Sequence, residues 1–196
     1  WELWSCDGAG SCRCKETVST PGQARTRDPL VFGVPASHCR TLGMALPATD
    51  PKTLRSMVAA QLEKRGLVSQ GRDWRFEPHL IEDRGEETLV SVDLVGPELP
   101  GDYVLRRASA YTAAPRARNW PDGQVVVWRE SGKLLLSAGR GGQLVHSHVI
   151  RSSPELSAGV IQEIRLGALA LEGEGLIGEV EGVTLWGEFE PAMVSE

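Results

Sequence analysis

Apolar and polar positions along the chain follow two periods, and both are clearest between residues 124 and 187. Three short apolar runs occupy 124–129 (QVVVWR), 133–137 (KLLLS) and 143–150 (QLVHSHVI). Glu130-Ser131-Gly132 and Gly139-Arg140-Gly141-Gly142 break them. Short β-rich runs separated by glycine-bearing turns predict an antiparallel meander. The period then lengthens. Val160, Ile161, Ile164, Ala168 and Leu171 recur on one face of a helix. Ser152 or Ser153 is expected to cap it, with Pro154 in the first position and Glu155 against the positive end. Gly173 and Gly175 end it, and 182–187 (GVTLWG) reads as a buried returning strand.

The same reading extends toward the start of the chain. Residues 1–6 (WELWSC) alternate as a strand does, 7–11 form a tight turn, and 12–18 return as a second strand. Residues 30–34 and 39–46 are further strands, the latter stopped by Pro47. A helix is predicted from Asp50 as N-cap and Pro51 at its first position. Its apolar stripe is Leu54, Met57, Val58 and Leu62, and Gly66 closes it. Residues 74–81 and 87–95 pair around a turn at 83–86. Punctuated by Pro97, Pro100 and Gly101, residues 96–119 are the least regular, with a short helix expected at 103–108 and a strand at 108–114. Strand groups alternate with single helices, which predicts an α/β or α+β fold rather than an all-β sandwich.

Length and charge then narrow the partners. The 196 residues fit one large domain or two small subdomains. The net charge of −5 and the lack of a basic stripe argue against nucleic acid. No apolar run reaches the roughly 18 residues that a membrane helix needs, and no secretory signal is visible. The start at Trp1 without Met is read as a trimmed fragment, so membrane or targeting segments would lie outside it.

Candidate chemistry is sparse. No Walker loop, GxSxG, HExxH or EF-hand loop occurs. Gly139-Arg140-Gly141-Gly142 lies between two β runs rather than before a helix, so it reads as a hairpin turn and not a phosphate loop. Cys6, Cys12, Cys14 and Cys39 are weak metal candidates, because C-x5-C-x-C is not a usual zinc spacing. A disulfide and reduced thiols are the other readings, and the plainest is that Cys12 and Cys14 share a strand face as small buried hydrophobes. His146 and His148, two apart on a strand, face one side and can hold a metal in principle; a polar face on an edge strand is the plainer reading. His38 and His79 stand alone. Glu82, Asp83, Glu86 and Glu87 coincide with a turn, where charges are solvated. Of the six tryptophans, Trp74, Trp128 and Trp186 are expected in the core, whereas Trp120, next to a turn, is a candidate for exposure and partner binding, with structural packing the plainer reading.

Taken together, residues 1–18 (with WSCDGAGSCRCKE), the meander at 124–150 and GVTLWGE resemble the phosphate hairpins and adenosine-loop strand of actin-like ATPases. The stretch VFGVPASHCRTLGMALPATDPKTLRSMVAAQLEKRG and the hairpin DGQVVVWRESGKLLLSAG are similar to the assembly-platform proteins of type II secretion and type IV pili, namely the cytoplasmic domain of the secretion L protein and the pilus M protein. The resemblance implies actin-like, ribonuclease H-like mixed sheets with helices packed on them. It implies two linked subdomains, 1–120 and 121–196, the second incomplete without sequence beyond Glu196. It places a vestigial nucleotide cleft at Asp7, Gly8, Gly10, Gly132 and Gly187. The second hairpin lacks the expected Asp before Gly132, and Gly187 is followed by Glu188 and Phe189 instead of a second glycine. The implied function is a non-enzymatic cytoplasmic scaffold at the inner face of the inner membrane, without cofactor, contacting an assembly ATPase and inner-membrane platform proteins. Homodimerisation is compatible with it. The alternative is an active ATPase or small-molecule kinase using Asp7 to organise Mg²⁺ and ATP.

Overall fold

The computed structural model describes residues 2–6, 12–20, 23, 26, 29–48, 50–68, 75–96, 108–151, 156–187 and 189. Their strands are β1 (Glu2–Cys6), β2 (Cys12–Thr17), β3 (Leu30–Val34), β4 (Cys39–Pro47), β5 (Arg75–Asp83), β6 (Glu87–Val95), β7 (Ala108–Ala113), β8 (Gln124–Glu130), β9 (Lys133–Arg140), β10 (Gln143–Arg151) and β11 (Gly182–Trp186). The helices are α1 (Pro51–Lys64) and α2 (Ala158–Gly173), and a 3-10 turn occupies Ala114–Ala117. The α+β class expected from the sequence therefore holds.

Helix α1 starts where its local chemistry dictates. The Asp50 carboxylate accepts the Lys52 N–H at 2.8 Å, Pro51 opens the first turn, and Gly66 at φ +66° receives the chain beyond the end. The start of α2 differs from the expectation. Its cap is Ser157, whose hydroxyl accepts the Val160 N–H, and not Ser152 or Ser153. Those serines, Pro154 and Glu155 lie outside the described residues, as do Trp1, Trp74 and the helix expected at 103–108.

Seven strands form one mixed sheet in the order β11-β8-β9-β10-β4-β6-β5. Only β11 and β8 are parallel; the other neighbours are antiparallel. Strands from before and after residue 120 are thus joined in a single ladder, with β10 and β4 meeting at Ser147 opposite Thr41. β1–β2 and the parallel pair β3–β7 are separate two-stranded units. Strand β10 is central, which corrects its assignment to a sheet edge.

Alternation along the strands separates the cores. The α1 stripe, Val58 and Leu62 with Leu54 and Met57, packs with Leu42, Met44, Leu46, Val90, Val92 and Leu94. The α2 stripe, Val160, Ile164, Ala168 and Leu171, packs with Val125, Val127, Leu134, Leu136 and Ala138. On the other face of β8 and β9, Val126, Trp128 and Leu135 meet Trp120. Trp120 is only 1% exposed, so the packing reading holds over the exposed one. It stacks on Trp186 at 5.0 Å, and its indole N–H donates to the Pro115 carbonyl at 2.9 Å.

Candidate functional site

Three groupings carry polar chemistry. The first is the end of the sheet that holds Gly132 and Gly187. Ser131 (φ 51°) and Gly132 (φ +72°) form the two-residue turn between Glu130 and Lys133. Consecutive positive φ values match the twist of a tight hairpin. Because β11 runs parallel to β8 with Trp186 beside Trp128, its last residue, followed by Gly187 (φ +105°), reaches the same end as this turn. Gly132 and Gly187 are therefore at one end of one sheet. Asp7, Gly8 and Gly10 lie outside the described residues.

That end is engaged by the chain itself. The Glu130 carboxylate accepts the Ser37 N–H at 2.7 Å, and the Lys133 ammonium donates to the Ser37 carbonyl at 2.9 Å. Phe189, two residues past Gly187, sits under the Arg129 guanidinium at 4.4 Å. Arg118 lies 6.0 Å from the Trp128 ring and 5.9 Å from the Trp186 ring. The Ser37 hydroxyl is buried with no partner among the described residues. Cys39, nearby in sequence, donates its thiol to the Val34 carbonyl at 3.6 Å. Burial, then the charges of Asp93 and Glu130, push that thiol far above its usual range.

The second grouping centres on Asp93, which is 1% exposed. Its Oδ1 accepts from Thr41 Oγ1 at 2.8 Å and Arg116 Nη2 at 2.8 Å. Its Oδ2 accepts from Arg116 Nε at 2.7 Å, the Ala113 N–H at 2.8 Å and Thr112 Oγ1 at 2.9 Å, and faces His79 Nε2 at 3.2 Å. Arg116 also donates to Ser91 Oγ at 2.6 Å and to the Leu144 carbonyl at 2.9 Å. Desolvation alone would raise the Asp93 pKa. The hydrogen bonds from His79 and Arg116, the Arg116 charge and the Ala113 N–H outweigh it and hold the carboxyl well below the usual range. With every oxygen direction filled, the carboxylate acts as a clasp. It ties β4, β5, β6, β7 and the 3-10 turn together and leaves no lone pair for a substrate.

Asp93 also belongs to a row of directly paired positions, all polar except Val126. Thr184, Val126, Ser137, Ser147, Thr41, Asp93 and Glu77 follow one another as direct cross-strand partners from β11 to β5. Ser137 and Ser147 share a hydrogen bond at 2.8 Å, and Trp128 Nε1 donates to Ser137 at 2.9 Å. The sequence reading missed Asp93 and Arg116. The available signal was an ionised residue inside VSVDLV, a run otherwise buried on both faces.

The third grouping is His146 and His148. Their rings meet edge to face at 5.0 Å, with His146 Nε2 2.9 Å from His148 Nδ1. One nitrogen donates and the other accepts, so the pair holds this contact only while at least one ring is neutral. Burial, then the neighbouring His148 and Arg40, lowers the His146 pKa to about 3; burial and Arg40 lower that of His148, against the opposing charge of Glu163. Among the described residues, no three of His, Cys, Asp and Glu cluster as a metal site.

The remaining candidates are placed as follows. Cys14 is exposed and Cys39 half-buried, both reduced, so Cys14 is not the buried hydrophobe expected; the side chains of Cys6 and Cys12 lie outside the described residues. His79 is not alone, since it faces Asp93. Glu82 accepts from Arg84 at 2.9 Å and Arg140 at 2.8 Å. Gly141 and Gly142 form the β9–β10 turn, as the hairpin reading requires. Neither protein-family models nor curated protein sequences match the chain.

Proposed function

We propose that this chain is a non-enzymatic scaffold on an actin-like core, serving a bacterial type II secretion or type IV pilus assembly platform. In this reading it works in the cytoplasm at the inner membrane and carries contacts between an assembly ATPase and inner-membrane components, without a cofactor of its own. One observation carries the proposal. The unit β8–β9–β10–α2–β11 has the element order of a meander, helix and returning strand that the resemblance implies, and Glu130 and Lys133, which flank its hairpin turn, both bond to Ser37 while Arg129 stacks over Phe189. A sheet end whose charged groups Glu130, Lys133 and Arg129 already engage the chain's own residues supports a binding scaffold over a nucleotide-hydrolysing enzyme. Among the described residues no helix is long and apolar enough to cross a membrane.

Two measurements test this. Mg²⁺-ATP at about 100 times a working dissociation constant would stabilise a nucleotide-binding chain by roughly 2.7 kcal/mol. The scaffold reading expects no shift in Tm, and it expects direct binding to a purified assembly ATPase of either system by calorimetry. A Tm shift abolished by Asp7→Ala would move the assignment to the ATPase or kinase alternative. Failure to bind either ATPase, with no shift, would sink both.

A further inference from the structure

Helix α2 is apolar on two faces. Val160, Ile164, Ala168 and Leu171 are buried against the sheet, while Leu166 and Leu169 are 57% and 64% exposed on the other side. Gln162, Leu166, Leu169 and Gly173 stand at i, i+4, i+7 and i+11, the spacing of a seam that packs against another helix. Gly173 and Ala170 are exposed, and a Cβ at Gly173 would meet nothing within 4 Å, so a second backbone can approach closely.

Charge identifies the occupant. Exposed Arg165 flanks the two leucines on the N-terminal side and exposed Glu172 flanks them on the C-terminal side, one heptad apart on the same edge of the seam. Among the described residues neither forms an ion pair. Turned end over end, this edge is complementary to itself. In a parallel pair Arg165 would face Ala170 instead, with no charge to meet. We propose that a second copy of this chain docks antiparallel on α2. Leu166 and Leu169 of the two copies interdigitate, and Arg165 of each pairs with Glu172 of the other. The arrangement is a two-fold, self-complementary interface.

The test is sedimentation equilibrium of the 196-residue chain over ~1–100 µM, because the state of a dimer depends on concentration. The expected result is a monomer–dimer equilibrium, abolished in Leu166→Glu/Leu169→Glu with the circular dichroism spectrum unchanged. Arg165→Glu and Glu172→Arg each place like charges opposite one another twice, and each should raise the dimer Kd about 10-fold or more. The combined Arg165→Glu/Glu172→Arg chain should return to within about threefold of the parent, because the pairs are restored with reversed sign. A parent chain that stays monomeric throughout, or a dimer indifferent to the leucine change, overturns the interface. A combined variant no tighter than the single ones overturns the antiparallel register.

Discussion

At the scale of single residues, the buried histidine pair and Asp93 shape the acid behaviour, and they act in different windows. His146 has a pKa of about 3 in the folded chain against 6.5 for a free imidazole. Between these values the unfolded chain binds a proton that the native chain refuses. Stability is therefore complete above pH 6.5 and falls as the pH drops toward 3, at up to about 1.4 kcal/mol per pH unit. Asp93 has a folded pKa below its ordinary 3.8. Its contribution is present above that value and disappears only below it. His146→Gln should lessen the loss between pH 6.5 and 4, with the share due to His148, which burial and Arg40 also hold below its usual range, remaining, and should leave the fall below pH 3.8 in place. Urea denaturation at pH 7, 5.5 and 4.5 reads this directly. Parallel acid limbs for parent and variant would show that the histidine pair does not control it.

At the scale of elements, legibility tracked how local the deciding contacts are. Helix α1 was readable to its ends because Asp50, Pro51 and Gly66 act within one turn of the boundaries they set. Strands β3 and β6 match their predicted bounds, since their apolar runs stop at clear breaks, Pro29 and Pro35 around β3 and Glu86 and Gly96 around β6. The start of α2 differs from the expectation because Ser152, Ser153 and Ser157 offer the same capping chemistry, so the local pattern does not choose among them. Between exposure and packing for Trp120 the local pattern could not decide, because its burial is set 19 residues away. A Cβ on Gly139 would press into the Trp120 backbone at 3.2 Å and the Gln143 carbonyl at 3.2 Å as well as the Trp120 side chain. Backbone atoms cannot swing aside, so Gly139→Ala should cost about 2–3 kcal/mol and shift tryptophan emission to the red as the Trp120–Trp186 stack opens. A change under about 0.5 kcal/mol, within the range of ordinary surface substitutions, would show that Trp120 can be seated another way.

At the scale of the whole molecule, what stayed hidden was strand order, and with it the Asp93 clasp. Hydrophobic alternation reports which face a residue takes but not which strand lies beside it, so neither β10 next to β4 nor Asp93 next to Thr41 could be foreseen. That junction is the thinnest part of the sheet. One ladder pair, Ser147 with Thr41, joins β10 to β4, whereas β4 and β6 stay in register from Cys39–Val95 to Pro47–Glu87. Side chains reinforce it: Ser91 donates to the Val145 carbonyl at 3.1 Å and Arg116 to the Leu144 carbonyl at 2.9 Å, with Arg116 held in place by Asp93. Asp93→Ala leaves a half-buried guanidinium unpaired, a loss of about 3–5 kcal/mol, and frees the clasp on both sides of the seam. The two halves of the sheet should then separate in stability. By hydrogen exchange, α1, β4, β5 and β6 should open about 10-fold or more faster than β8, β9 and α2 in the variant, while the parent protects both to a similar degree. If both halves lose protection by the same factor, the ladder and the apolar cores suffice to couple them, and Asp93 contributes stability without setting cooperativity.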